Sequence, residues 1–595
     1  MKPTTEILVK ISENSRNNKK EIFTRLYRYL LRPDLYYIAY KNLYANKGAA
    51  TKGVNDDTAD GFSEIKINEI IQSLSDETYS PKPARREYIQ KKNSNKKRPL
   101  GIPTFTDKLV QEVLRMILEA VFEPVFSHYS HGFRPGKSCH TALTSLKKEF
   151  TGVTWFIEGD IKGCFDNIDH HVLVDIINTK IKDARLIKLI WKFLKAGYME
   201  NWNYHTTYSG CPQGGIVSPT LANIYLNELD KLAKEKAGEF FCPKETVRTT
   251  EYSKIMWDLS KIKAQLKTAT GQKKTELLKL QKELGAELRK TPRAPKTDKV
   301  MKYIRYADDF IIGLKGNKTD CERMKQQFSD FISQKLKMEL SEGKTLITHS
   351  SQYARFLGYD IRVRRDNTVK PHGLSKRRTL NGKVELCVPF SDKIMPFLFN
   401  KSIIRQLDNG KIEPAARRYL QRCTDLEIIS AFNSELRGIC NYYALASNFI
   451  RFNYFAYLME YSCLKTLASK HDSTSHKIID KYRNSKGSWC IPYQTASGEK
   501  HREFANYMDC KNTDSFNDVI IHFAALHVNT TTTFEDRLSA KECELCGKTE
   551  VPLEMHHVNK VKNLKGKEHW EAMMIAKKRK TLAVCLDCHH KIHHS

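Results

Sequence analysis

Nowhere in this sequence do about 18 apolar residues run together, so no segment is suited to cross a bilayer as a helix. The stretch Met1 to Lys20 is polar and lacks the apolar centre of a secretory signal. Acidic residues are in deficit as well: 68 Asp and Glu stand against 99 Lys and Arg, a formal net charge of +31. An excess of that size needs a polyanion to neutralise it, which points to nucleic acid. Regular cysteine spacing is also missing. The 15 cysteines are an odd number, scattered except for four near the end, as in a chain kept in a reducing compartment. The expected location is the cytoplasm, with no membrane partner.

What is present is a folded composition, 40% hydrophobic and 28% charged, in a chain of 595 residues that is too long for one core. Residues 1–75 read as a partly basic helical extension ending in a Gly/Asn/Asp turn cluster, Thr51 to Asp56. Tyr88-Ile89-Gln90 and Pro99 to Pro103 read as a hairpin whose tip, Lys91 to Arg98, is densely positive. A solvated loop and a phosphate-binding one are both compatible with that tip. Apolar spacing predicts a helix over Asp107 to Phe122. Trp155 to Asp160 reads as a core strand ending in an acid, and Tyr303 to Gly313 as two apolar strands joined at Asp308-Asp309. A polar helical insertion is expected over about 231–299, mostly helix over 392–470, and a compact Cys/His unit over the last 60 or so residues. The span 471–535 gives no clear pattern.

Two adjacent acids between apolar neighbours are an unusual place for uncompensated charge, and a bound cation would explain them. Asp160 is a third carboxylate able to join them, and carboxylates are the hard ligands that magnesium prefers. Phosphoryl transfer onto a growing chain needs such ions.

The motifs then become specific. Tyr306-Ala307-Asp308-Asp309 resembles the signature of reverse transcriptases, and Asp160 to Asp166 resembles the family's other metal-binding segment. Gly132-Phe133-Arg134-Pro135, Pro212 to Pro219 and Arg355-Phe356-Leu357-Gly358 match further blocks in the family's order. The resemblance implies a right-hand polymerase, with two Mg2+ held by Asp160, Ile161, Asp308 and Asp309. Lys96 and Arg98 would clasp the triphosphate, with Arg134 also at the substrate. Gln213 would lie against nucleotide and template, and Lys344 would accompany the leaving pyrophosphate. Phe165 resembles the steric gate that excludes a ribose 2′-hydroxyl, and 355–358 would support the primer.

Leu436 to Tyr443, with Ser462, Lys465 to Ala468 and Lys470, resembles the thumb, or maturase, domain of proteins encoded by group II introns. That likeness implies intron RNA as a partner, with Arg437 and Lys465 as RNA contacts. Basic helices rich in aromatics can also simply pack their rings internally, and that alternative stays open.

At the end, Cys543, Cys546, Cys585 and Cys588 form two C-x-x-C pairs suited to a structural Zn2+, with redox pairing as the alternative. With the intervening histidines they resemble an HNH endonuclease, a ββα fold that uses one divalent metal such as Mg2+. Carried over, His557 would activate water while His556 and His593 hold the metal, with His589 as a rival for that place. Thr581 stands where many HNH proteins place an asparagine that orients the base, and Lys577 to Lys580 would lie along a DNA backbone. A unit that only binds DNA is the second reading.

The expected architecture is therefore α+β and multidomain. It comprises an RNA-binding extension (1–75), reverse transcriptase fingers and palm with an antiparallel sheet (76–385), a helical thumb (386–475), a DNA-binding region (476–535) and a zinc-stabilised HNH domain (536–595). The resemblance implies target DNA and deoxynucleoside triphosphates as further partners, and mobility by target-primed reverse transcription. It also implies a bacterial cell, with the chain at the nucleoid when bound to DNA, and a homodimer among the expected assemblies.

Overall fold

The apolar runs Trp155–Asp160, Val300–Tyr306 and Asp309–Lys315 are neighbouring strands of one antiparallel sheet, completed by Ile347–His349. The computed structural model describes residues 3–594 apart from 47, 91–96, 202, 212–213, 243–247, 292–298, 367–369, 373–374, 378–380, 485–486, 496–497 and 513–533. Side chains alternate between the faces of this sheet. Ile157, Tyr303, Phe310 and Ile312 enter one hydrophobic core, whereas Phe156, Ile304 and Ile311 enter a second. Cover on both faces is why these strands read as unbroken apolar runs rather than alternating ones.

The first core is organised around the helix Phe105–Phe122, buried on nearly every side. Thr104 caps it by accepting from the Asp107 amide at 3.2 Å, and the Tyr79 hydroxyl donates to the Asp107 carboxylate at 2.6 Å. The basic hairpin is the antiparallel pair Ala84–Gln90 and Lys97–Ile102, whose tip lies outside the described residues. The helical insertion begins later than Lys231. The helix Ser218–Phe240 still buries Leu232, Ala233 and Phe240 in the first core. The surface excursion is the pair Thr250–Gln265 and Gly271–Lys290, and the second of these buries no residue.

In the second core the helices Asp425–Tyr442 and Phe452–Lys470 pack together. The aromatics of the second helix divide by face: Phe452 and Phe455 are buried, as is Phe449 in the turn before it, whereas Tyr454, Tyr457 and Tyr461 are exposed in a row. The span after 475 is not set apart. Its hairpin, Cys490–Thr495 with Gly498–Glu503, docks on the same helices through Asn433, which donates to the Glu503 carbonyl at 2.9 Å and accepts from the Ala505 amide at 2.8 Å.

The carboxy-terminal unit pairs Leu553–His557 with Thr581–Cys585 and follows with the helix Leu586–His594, a ββα arrangement. A third strand was not expected. Phe62–Ser63, from the amino-terminal extension, pairs with Leu553–His557, setting Phe62 opposite Met555, and the two regions share a core. Among the described residues no helix is long and apolar enough to cross a membrane.

Candidate functional site

The ladder sets Asp160, the last residue of its strand, directly opposite Asp309, while Asp308 occupies the turn after Tyr306. Residues distant in sequence therefore meet at one end of the sheet. The turn is held from below. Ala307 adopts a positive φ of 55°, and Gly132 comes so close that a Cβ there would overlap the Ala307 amide nitrogen. Beneath it Arg305 donates to the Ala307 carbonyl at 2.9 Å, to the Ser130 hydroxyl at 2.8 Å and to the Asp230 carboxylate at 2.7 and 2.8 Å. A guanidinium inside an apolar strand can persist only with such partners. Neither Asp230 nor this role of Arg305 was singled out from the sequence, although a lone Arg in Tyr303-Ile304-Arg305 was the available signal.

The three aspartates line a cleft of about 710 Å³ with Arg98, Phe165 and Lys344. Lys344 donates to Asp160 at 2.8 Å. Burial and the Asp160 charge push the Asp308 carboxyl up. Burial, a hydrogen bond with Asp160 and the Asp308 charge push Asp309 up to about 7. The two lysine and arginine side chains thus leave the carboxylates short of positive charge, which hard divalent cations would supply. Among the described residues the three aspartates do not close into one group as tight as the two sets described below. Ile161, buried beside them, has only backbone oxygen to offer. Phe165 sits in the short turn Cys164–Asp166, its ring edge-on to Phe133 at 6.1 Å. Lys96 and Gln213 lie outside the described residues.

Arg134 does not reach the cleft, contrary to expectation. It is buried and donates to Glu123 at 2.8 Å and to the carbonyls of Ser127 and Ser130, so its charge is spent on folding the loop that carries Gly132. Lys465 is half-buried, and its ammonium donates to the Pro414 carbonyl at 2.8 Å. Arg437 is exposed. The turn at Leu357-Gly358 lines the cleft, and the Tyr442 and Tyr443 hydroxyls donate to its carbonyls at 2.7 and 3.2 Å. These two tyrosines tie the helical unit to the cleft.

The sulfurs of Cys543, Cys546, Cys585 and Cys588 all lie within 4.8 Å of one another, one convergent set rather than two separate pairs. Burial pushes the Cys543 thiol up, but the amides of Cys546 and Cys585 directed at its sulfur outweigh that and bring it down to about 7. The convergence of the four sulfurs fits a tetrahedral zinc site.

A second set within 4.8 Å comprises His556, His589, His593 and, unexpectedly, Asp60. Glu554 pairs with His589 Nδ1 at 2.7 Å and leaves Nε2 for the cluster, the usual support for a metal-binding imidazole. Burial works against the charged form of His589, but Asp60 and Glu554 outweigh it and raise the imidazole to about 9. His556 is 3% exposed, its Nδ1 lies 3.3 Å from Asp60 Oδ1, and its Nε2 has no hydrogen-bond partner. A buried imidazole with an unpartnered nitrogen among three other donors fits a divalent ion. His557 is not part of the set; its Nε2 lies 3.0 Å from the Tyr44 carbonyl, and burial pushes it down. Thr581 faces His557 across the ladder, and its hydroxyl accepts from Arg537 at 3.1 Å. Lys577 and Arg579 approach Glu544 at 3.7 and 3.3 Å, so the basic run is partly neutralised.

Three family descriptions match successive parts of the chain. They are "Reverse transcriptase (RNA-dependent DNA polymerase)" over residues 89–252, "Type II intron maturase" over 381–536 and "AI2M/AI1M-like, HNH endonuclease" over 543–589. The chain is 59% identical to "Group II intron-encoded protein LtrA" of Lactococcus lactis subsp. cremoris over 100% of both sequences. It is 35% identical to an "Uncharacterized 91 kDa protein in cob intron" of Schizosaccharomyces pombe, over 98% of this chain and 71% of that one. "Protein YkfC" of Escherichia coli matches 57% of this chain and 82% of its own length at 32% identity. With a carboxylate cleft, a maturase segment and a Cys/His nuclease unit in that order, this chain belongs to the group II intron-encoded proteins, multifunctional reverse transcriptases that are also maturases and HNH endonucleases.

Proposed function

We propose that the sheet bearing Asp160, Asp308 and Asp309 is a polymerase palm, that the hairpin Ala84–Gln90 with Lys97–Ile102 belongs to the fingers, and that the helices Asp425–Tyr442 and Phe452–Lys470 form the thumb. The observation that supports this most is the register pairing Asp160 with Asp309 in a cleft that Arg98 and Lys344 also face. Its chemistry is extension of a DNA primer on an RNA template. The primer 3′-hydroxyl attacks the α-phosphorus of a deoxynucleoside triphosphate and pyrophosphate leaves. The aspartates and the Ile161 backbone would hold two magnesium ions, which would supply activation of that hydroxyl and charge neutralisation of the triphosphate. Arg98, with Lys96, holds the triphosphate through charge-assisted hydrogen bonds. Lys344 meets the charge of the leaving pyrophosphate, Gln213 contacts nucleotide and template, and Phe165 fills the space a 2′-hydroxyl needs.

Intron RNA is the partner of the helical unit, read through Arg437 and the exposed row Tyr454, Tyr457 and Tyr461, whose faces offer stacking. Zinc bound by the four cysteines holds the terminal unit together. His557 is the base of DNA hydrolysis, with His556, His589 and His593 toward the metal. In the cell, cytoplasmic and at the nucleoid, these activities join in target-primed reverse transcription of the intron. The test is extension of a DNA primer on an RNA template by Asp308→Asn, checked for native folding. Loss of extension is expected; retained extension overturns the assignment.

A further inference from the structure

The nuclease unit is not a free appendage. Its sheet is completed by Phe62–Ser63, the Gly61 amide donates to the Met555 carbonyl at 3.1 Å, and Phe534 packs edge-on to Tyr40 and Tyr44 with centroids 5.2 and 5.0 Å away. This contact brings two groups of the amino-terminal region onto the two parts of the nuclease that matter for hydrolysis. Asp60 Oδ2 lies 2.7 Å from His593 Nε2 and 3.1 Å from His589 Nε2, and Oδ1 lies 3.3 Å from His556 Nδ1 while accepting from the His557 amide at 2.6 Å. The Tyr44 carbonyl takes the side chain of His557 at 3.0 Å.

A hydrolytic metal needs open positions for water and for an oxygen of the scissile phosphate. Three imidazoles and one carboxylate, all mutually within 4.8 Å, would take four positions of a divalent ion, so a six-coordinate ion such as Mg2+ would keep two, and release of the carboxylate would free a third. The fourth donor is an anionic oxygen pair, the nearest thing a protein has to a phosphate. His557 is buried, and its Nε2 is engaged by the Tyr44 carbonyl.

We propose that Asp60 is a ligand of the nuclease ion supplied from outside the nuclease, and that with Tyr44 it latches the nuclease shut until a target-strand phosphate displaces the carboxylate. The latch rests on the HNH reading of this site. It ties cleavage to the amino-terminal region assigned to the intron RNA, so that DNA engagement and not metal alone opens the site. Asp60 precedes the Phe62 anchor on a loop, so its carboxylate can leave the ion while the shared strand stays paired.

Hydrogen–deuterium exchange on the full chain, titrated with Mn2+, tests ligation without any catalytic readout. In the wild type, Mn2+ protects residues 58–63 and 553–557 together, because one ion bridges both. In Asp60→Asn, which keeps the shape and an acceptor for the His557 amide, the Mn2+ midpoint for that joint protection rises at least about tenfold. Protection that is independent of Mn2+ in the wild type, or an unchanged midpoint in Asp60→Asn, overturns the ligand assignment. Nicking of a double-stranded target tests the latch: Asp60→Asn cleaves faster than wild type. Slower or equal cleavage overturns it. Nicking that survives His557→Ala would instead sink the HNH reading, and the exchange experiment still decides whether Asp60 binds the ion.

Discussion

Removing the Asp230 carboxylate should cost far more than its distance from the reacting atoms suggests. The Asp230 and Arg305 side chains are each 1% exposed, and the carboxylate takes two guanidinium hydrogen bonds and a third from Tyr303 at 3.0 Å. In Asp230→Ala the guanidinium keeps Ser130, Asn223 and the Ala307 carbonyl but has no counter-charge. Breaking one side of a buried ion pair costs about 3–5 kcal/mol, a large share of the roughly 5–15 kcal/mol that typically holds a domain. Hydrogen exchange of Val300–Tyr306 should therefore accelerate by two orders of magnitude or more, since about 1.4 kcal/mol is tenfold, and primer extension should fall with it. The triple replacement Asp230→Leu, Arg305→Met, Tyr303→Phe removes the pair together with the hydroxyl it would orphan. That variant should recover most of the protection, because apolar replacements of buried ion pairs are often neutral. It should still extend primers poorly, because nothing then holds the Ala307 carbonyl under the catalytic turn. A cost below about 1 kcal/mol for Asp230→Ala, or full extension by the triple variant, would refute the reasoning.

Other consequences are as direct. Phe165→Val should raise incorporation of ribonucleotides relative to deoxynucleotides by about tenfold or more, measured by single-nucleotide extension; an unchanged ratio removes the gate. Chelation of zinc, or Cys543→Ser, should expose residues 553–585 to proteolysis while primer extension persists, and intact resistance would argue against a structural ion. At Asp425, burial pushes the carboxyl up, but Lys470, Tyr482 and His471 outweigh it and hold it at about 2 against an ordinary 3.8. A carboxyl depressed in the folded state stabilises above its unfolded value and loses that contribution as pH falls through the folded one. Asp425→Asn should thus destabilise the helical unit by about 1 kcal/mol at neutral pH, an amount discounted for solvent screening. The gap should close between pH 4 and 2, and a gap independent of pH over that range would contradict the ion-pair account.

Much of the cleft was legible because strand ends and turns advertise themselves. Trp155 to Asp160 and Tyr303 to Gly313 carry apolar runs that stop at acids, and register did the rest. What escaped notice depends on partners far away in the chain. Asp60 sits in an unremarkable polar loop, and nothing local says that it faces three histidines. Arg134 lies in a family block, yet Glu123 and two carbonyls consume its guanidinium. The hairpin at 490–503 is mostly exposed, with Trp489 and Ile491 at its start entering the second core beside the Asn433 contact, so its hydrophobic signal was too short to read. The tyrosines at 454, 457 and 461 and the phenylalanines at 449, 452 and 455 look alike in composition and part only when helix phase separates them.

The central claim is best tested by determining the structure of the chain with an RNA template, a DNA primer, an incoming deoxynucleotide and Mn2+, and locating the ions by anomalous scattering. Two peaks enclosed by Asp160, Asp308 and Asp309, beside the triphosphate, are predicted. Peaks elsewhere, or none at those carboxylates with nucleotide bound, would contradict it.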